Sequence, residues 1–146
     1  MKNLKLAALT LFATVAVNAQ DLKNNEVPRD LRLNFEKEFV NATNIEWEKQ
    51  NDLYKVEFDI ARNENEIWYD ASGKTIKTEK ELNEAELPQA IKSKISTSYS
   101  SFKIEDIEMK EEAGKITYEV ELKKGWNNEK MVIFDEIGSI IKEYED

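Results

Sequence analysis

The sequence predicts an α+β protein: two tandem repeats, each a helix packed on an antiparallel β-sheet, forming one curved sheet with both helices on one face. Three observations predict it. A strand-turn-strand phrase, Glu66-Ile67-Trp68-Tyr69-Asp70-Ala71-Ser72-Gly73-Lys74-Thr75-Ile76, returns as Met131-Val132-Ile133-Phe134-Asp135-Glu136-Ile137-Gly138-Ser139-Ile140-Ile141. In each, an apolar run leads to an Asp that can bond its own backbone and a Gly free to take a positive φ. Val27-Pro28 and Leu87-Pro88, sixty residues apart, each precede apolar residues at helical spacing. Between these landmarks polar and apolar residues alternate with period two, the pattern of a half-buried strand. One repeat of about 60 residues would be marginal alone, so both belong to a single domain, 27–146, divided as 27–86 and 87–146.

The elements follow in order. Lys2 and Lys5, the apolar run Leu6 to Val17 and the small residues before Gln20 make residues 1–19 a secretory signal peptide cut after Ala19. The run is too short for a membrane anchor, and no Cys stands ready to carry a lipid. Residues 20–26 are polar without periodicity and read as a flexible lead-in. Pro28 suits a first helical turn, and Leu31, Phe35 and Phe39 then fall on one helix face. Ile91, Ile95 and Tyr99 repeat those steps after Pro88. Strands follow at Asn44 to Glu48, Leu53 to Ile60 and Glu66 to Asp70, with turns at Asn51-Asp52 and Asn63-Glu64-Asn65. Their counterparts are Ile107 to Met109, Ile116 to Leu122 and Lys130 to Asp135. Glu79 to Glu86 is a charged connector that either extends a strand or forms a helical turn.

Alternation sorts the side chains by face. Ile45, Trp47, Tyr54, Val56, Phe58, Ile67 and Tyr69 share the core face with Tyr118, Val120, Leu122, Val132 and Phe134. The opposite face collects Glu46, Glu48, Lys55, Glu57, Asp59, Glu66, Glu119 and Glu121, together with Trp68, Met131 and Ile133. Such an apolar island rimmed by charge is a candidate contact site.

These residues resemble a known family. Val27-Pro28, Tyr54-Lys55-Val56-Glu57-Phe58 and Trp68-Tyr69-Asp70-Ala71-Ser72-Gly73, echoed by Leu87-Pro88, Tyr118-Glu119-Val120-Glu121-Leu122 and Ile133-Phe134-Asp135-Glu136-Ile137-Gly138, are similar to the PepSY-like proteins related to the β-lactamase-inhibitor-protein fold. The resemblance implies a secreted or periplasmic protein of a Gram-negative bacterium. It also implies binding or inhibition of another protein, such as a peptidase or hydrolase, with no catalytic residues. Its motifs are structural, so they specify fold and leave function to the site.

Composition narrows the chemistry. The net charge is −9, and removing Lys2 and Lys5 with the signal takes it to −11. That sign disfavours nucleic acid and anionic lipid, and favours basic partners or cations. With neither His nor Cys, thiol nucleophiles, Ser-His-Asp arrangements and most zinc sites are excluded. Among 30 acids, chance pairs such as Glu57 with Glu66 or Glu119 with Glu121 are expected, so they do not by themselves indicate a hydrolase. Asp70 to Gly73 lacks the run of oxygen ligands that a calcium loop needs. No cofactor is implied.

The reading is therefore an exported, non-enzymatic binding protein. Its candidate contact residues are Trp68, Met131, Ile133, Glu57, Glu66 and Glu119 on the open face, with Trp126 as an outlying anchor, since exposed Trp is enriched where interfaces concentrate their energy. An unidentified protein partner is expected, and edge strands leave a homodimer open. Two alternatives remain: a small-ligand or cation carrier using the same acidic face, and a carboxylate-dependent hydrolase.

Overall fold

The computed structural model describes residues 19–145. In order they form β1 (Ala19–Leu22), α1 (Arg29–Glu38), β2 (Thr43–Gln50), β3 (Leu53–Ile60), β4 (Asn63–Tyr69), β5 (Thr75–Glu81), a 3₁₀ turn (Glu84–Glu86), α2 (Gln89–Ser98), β6 (Lys103–Glu112), β7 (Lys115–Lys123), β8 (Glu129–Asp135) and β9 (Ile140–Glu145). The nine strands make one sheet in sequence order, and every neighbouring pair is antiparallel. The signal peptide read at residues 1–19 lies, apart from Ala19, outside the described residues. Among those described, no helix is long and apolar enough to cross a membrane.

This corrects the expected fold class. The described residues are mostly β, a single nine-stranded antiparallel sheet with two ten-residue helices, rather than two repeats that each pack a helix on a sheet. The reason lies at β5 and β6. Lys77 to Glu81 pair with Glu112 to Glu108 across the expected boundary, so backbone groups that would be two exposed edges satisfy one another. The strands also run beyond their apolar cores: β6 has ten residues where alternation marked three. Its charged ends are held by cross-strand partners that a single strand's pattern does not reveal.

Each helix begins at its proline, with Pro28 and Pro88 in the N-cap positions. Leu31 and Phe35 of α1 join Trp47, Val56, Phe58, Ile67 and Tyr69 in one buried cluster. Ile91 and Ile95 of α2 join Ile107, Val120, Leu122, Val132 and Phe134 in another. Register carries Phe58 across to Asn65, Lys80, Met109, Tyr118 and Phe134, so the two clusters share one face of the sheet. The opposite face carries rows of charged residues together with Trp68, Met131, Ile133 and Tyr144.

Four local expectations change. Ile45 is exposed, because a register shift between Thr43 and Glu46, with Asn44 at φ 53, breaks the alternation that placed it in the core. Gln20 to Leu22 of the supposed lead-in belong to β1, paired with Lys49 to Trp47. The turn between β3 and β4 is Ala61-Arg62, at φ 52 and 76, although Asn63 carried the stronger turn signal. The connector does both things open to it: β5 extends to Glu81, and Glu84–Glu86 form a 3₁₀ turn.

Candidate functional site

Three cross-strand rows build the face opposite the helices. The first runs Lys55, Trp68, Lys77. The Trp68 ring has the Lys55 ammonium 5.4 Å from its centroid and that of Lys77 at 4.3 Å. Its indole N–H donates to Gln50 Oε1 at 3.2 Å. Trp68 is thus only 9% exposed, roofed by lysine stems and not by a helix.

The second row runs Glu57, Glu66, Glu79, Lys110. Lys55 Nζ reaches Glu66 at 2.7 Å and Glu57 at 3.3 Å. Burial works against its charge, but the hydrogen bonds and charges of Glu66 and Glu57 outweigh that and raise its pKa. Glu66 is itself pushed up by burial, only partly offset by Lys55. Carboxylate oxygens of Glu57, Glu64 and Glu66 lie within 4.8 Å of one another. With Lys55 bonded to two of the three, the cluster is already partly neutralised.

The third row runs Glu81, Glu108, Glu119, Ile133, Lys142. Lys110 gathers its acids, touching Glu119 at 3.2 Å, Glu108 at 3.3 Å and Glu79 at 3.5 Å. Burial and the charge of Glu79 push the Glu108 carboxyl up to about 7. Glu79 moves the other way: burial opposes the shift, but the Lys77 hydrogen bond and the Lys110 charge bring it below its ordinary value. Hence the seam between β5 and β6 is an ionic ladder in which one carboxyl, Glu108, titrates near neutral pH.

The predicted residues therefore separate. Glu57, Glu66 and Trp68 come together through Lys55, and Glu119 lies buried against Lys110. Met131 and Ile133 lie further along, paired with Tyr144 and Lys142. Trp126 is not on the face. It stands 95% exposed in the β7–β8 loop, which Lys124 closes by donating its N–H to the Asn128 carbonyl at 2.8 Å. The sequence reading missed the exposed apolar group at the far edge: Ile137, Ile140, Ile141 and Tyr144. The adjacent Ile140-Ile141 was the available signal, since two neighbouring apolar residues in a strand cannot both point into one core.

Residues 53–142 match the family model described as beta-lactamase-inhibitor-like, PepSY-like. The chain belongs to the PepSY-like family. Among solved structures, this PepSY-like chain is similar to a BLIP-like protein from Bacteroides fragilis, with 25% identity, a TM-score of 0.63 and coverage of 81% of this chain and 85% of that one. A DUF2874 family protein from Bacteroides uniformis shares 16% identity at a TM-score of 0.65, over 81% and 88% of the two chains. A candidate periplasmic protein from Bacteroides eggerthii shares 12% at 0.66, again over 81% and 88%. The last two likenesses are of fold alone. No curated protein matches the chain.

Proposed function

We propose that this PepSY-like protein is exported to the periplasm or beyond the cell and works without catalysis by binding another protein, as an inhibitor or modulator of a peptidase or other hydrolase. The observation that carries this reading is the uncovered sheet face, where rows of charge run into the apolar side chains of Met131, Ile133 and Tyr144. A face of mixed ionic and apolar character suits protein recognition. Its central acids Glu66, Glu79 and Glu119 are engaged in ion pairs by Lys55, Lys77 and Lys110. The basic-apolar-small order of residues 1–19 supports export, as does the likeness to a candidate periplasmic protein.

The test is a crosslinking pull-down from periplasmic extract, using the protein beside a Met131→Ala, Ile133→Ala double variant of unchanged thermal stability. We expect a specific protein that the variant loses, and stoichiometric loss of that protein's activity on adding the purified chain. Identical captures by both baits would move the site off this face. The cation-carrier alternative rests on Glu57, Glu64 and Glu66. Calcium should leave the melting temperature unchanged; a clear, saturable rise would favour the carrier.

A further inference from the structure

We propose that the outer edge of β9 is a strand-addition site for an extended segment of a partner protein whose side chains alternate apolar and basic. This rests on the protein-binding reading above and specifies its partner.

β9 is the last strand of the sheet, and among the described residues it pairs only with β8. Half of its backbone N–H and C=O groups therefore face outward, and the ligand that matches such a row along its length is another extended backbone. The side chains argue the same way. Among the described residues eight large hydrophobic side chains are exposed, and four of them fall between Ile137 and Tyr144. Ile137 is 78% exposed and Ile141 57%, the latter being the extra residue where the register shifts from Ile133↔Lys142 to Phe134↔Ile140. At the opposite edge β1, over its described residues Ala19–Leu22, has one large apolar side chain, Leu22, which packs into the core. The two edges are thus unlike, and among the described residues only β9 offers apolar grip beside free backbone.

Charge selects the occupant. Glu143 and Glu145 lie on one side of the edge, both drawn to Lys130. On the other face β9 carries Lys142 and Tyr144, so a basic side chain is favoured only on the side of Glu143 and Glu145, in a chain of net charge −9. A basic side chain at every second position meets these acids, while apolar positions meet Ile141 and Tyr144. A second copy fits worse. Antiparallel pairing of β9 with itself about a two-fold normal to the sheet brings same-face residues opposite. Centred on Lys142 it opposes Lys142 to Lys142; centred on Glu143 it opposes Glu143 to Glu143; centred on Tyr144 it opposes Glu143 to Glu145. Like charges directly across a ladder destabilise it.

The probe is a peptide of four Val-Lys repeats, read by amide hydrogen exchange of the isotopically labelled protein. We expect exchange at β9 amides to slow about tenfold at saturation, as for amides newly held in a ladder. A peptide N-methylated at alternate residues should bind at least about tenfold more weakly, and one of four Val-Glu repeats weaker still. Ile141→Lys with Tyr144→Lys, both at exposed positions, should abolish the protection while circular dichroism stays unchanged. Equal binding by the N-methylated peptide, no binding, or perturbation confined to Glu57, Glu66 and Glu79 would overturn strand addition. β9 protection that grows with protein concentration alone would overturn it in favour of a second copy. A partner captured in the pull-down that leaves β9 amides unprotected would overturn strand addition and leave the protein-binding reading standing. Peptide protection without any captured partner would leave the edge site and sink the broader reading.

Discussion

Gly73 and Gly138 do the same work in matching turns, yet a methyl group would meet different neighbours at each. Both sit at φ 83, and in both turns the preceding Asp accepts backbone N–H groups: Asp70 Oδ1 from Ser72 and Lys74, Asp135 Oδ1 from Ile137 and Ser139. A Cβ at Gly73 would meet only Leu31 Cδ1, at 3.9 Å, whereas one at Gly138 would come within 3.0 Å of the Ala90 backbone in α2. Gly73→Ala should therefore cost about 1 kcal/mol for the left-handed backbone, and Gly138→Ala about 3 kcal/mol, because the loop must also back away from the helix. Urea denaturation of the two variants checks the order; equal losses would mean that the turn at Gly138 relaxes freely. Trp68 also changes its meaning at this scale. Wedged between Lys55 and Lys77, it holds the face together, so Trp68→Ala should lower stability by about 2 kcal/mol before it affects any binding.

Between elements, the β5–β6 ladder makes stability respond to pH. Glu108 has its folded pKa raised from 4.5 to about 7 by burial and by Glu79, so the folded state keeps a proton that the unfolded state releases. Stability must then fall as pH rises from about 4.5 to about 7, and level off above. Glu64, Glu66 and Glu121, also raised, add the same sign. Glu79, lowered, has the opposite sign, its contribution being lost only as pH falls below its ordinary range. The Glu108 carboxyl is about one-third exposed, which limits its share to about 1–2 kcal/mol. Glu108→Gln should flatten the decline between pH 5 and pH 7, as melting temperatures across that range would reveal; an unchanged slope would assign the effect elsewhere in the ladder. The helix contact depends instead on packing. Phe35 of α1 meets Trp47, Phe58 and Phe39 at ring separations of 5.4, 4.9 and 5.1 Å. Phe35→Ala should cost about 3–5 kcal/mol, while exposed Leu33→Ala on the same helix stays within about 0.5 kcal/mol.

For the whole molecule the decisive feature is the unbroken sheet. Two apolar clusters share one face, with Asn65, Thr78 and Lys80 on that face between them, so the clusters alone would not require joint unfolding. The five residue pairs between β5 and β6 couple them. We expect one transition in urea, with the fluorescence of Trp47 and Trp68 tracking the circular dichroism of the sheet. Lys110→Met leaves Glu79, Glu108 and Glu119 without their shared cation and should weaken that coupling. Fluorescence loss well before the loss of sheet signal in the unaltered protein would instead show two independent halves.

Sequence alone determined what depends on neighbours along the chain: the prolines that start α1 and α2, the Asp-Gly turns, the helix faces of Leu31, Phe35, Ile91 and Ile95, and the alternation that puts Val56, Val120 and Phe134 inside. Those signals have local causes, a fixed φ, a positive φ, or a period of 3.6 or 2. It also carried the family likeness that residues 53–142 support. Tertiary structure alone decided which strands meet. A charged strand such as β6 shows no partner in its own letters, so its ten-residue length and its pairing with β5 could not be read, and the extra residue at Ile141 could not be placed. For the same reason the cover over Trp68, a candidate contact residue, could not be read: the lysines over it belong to β3 and β5, and only pairing across the sheet brings them to its ring.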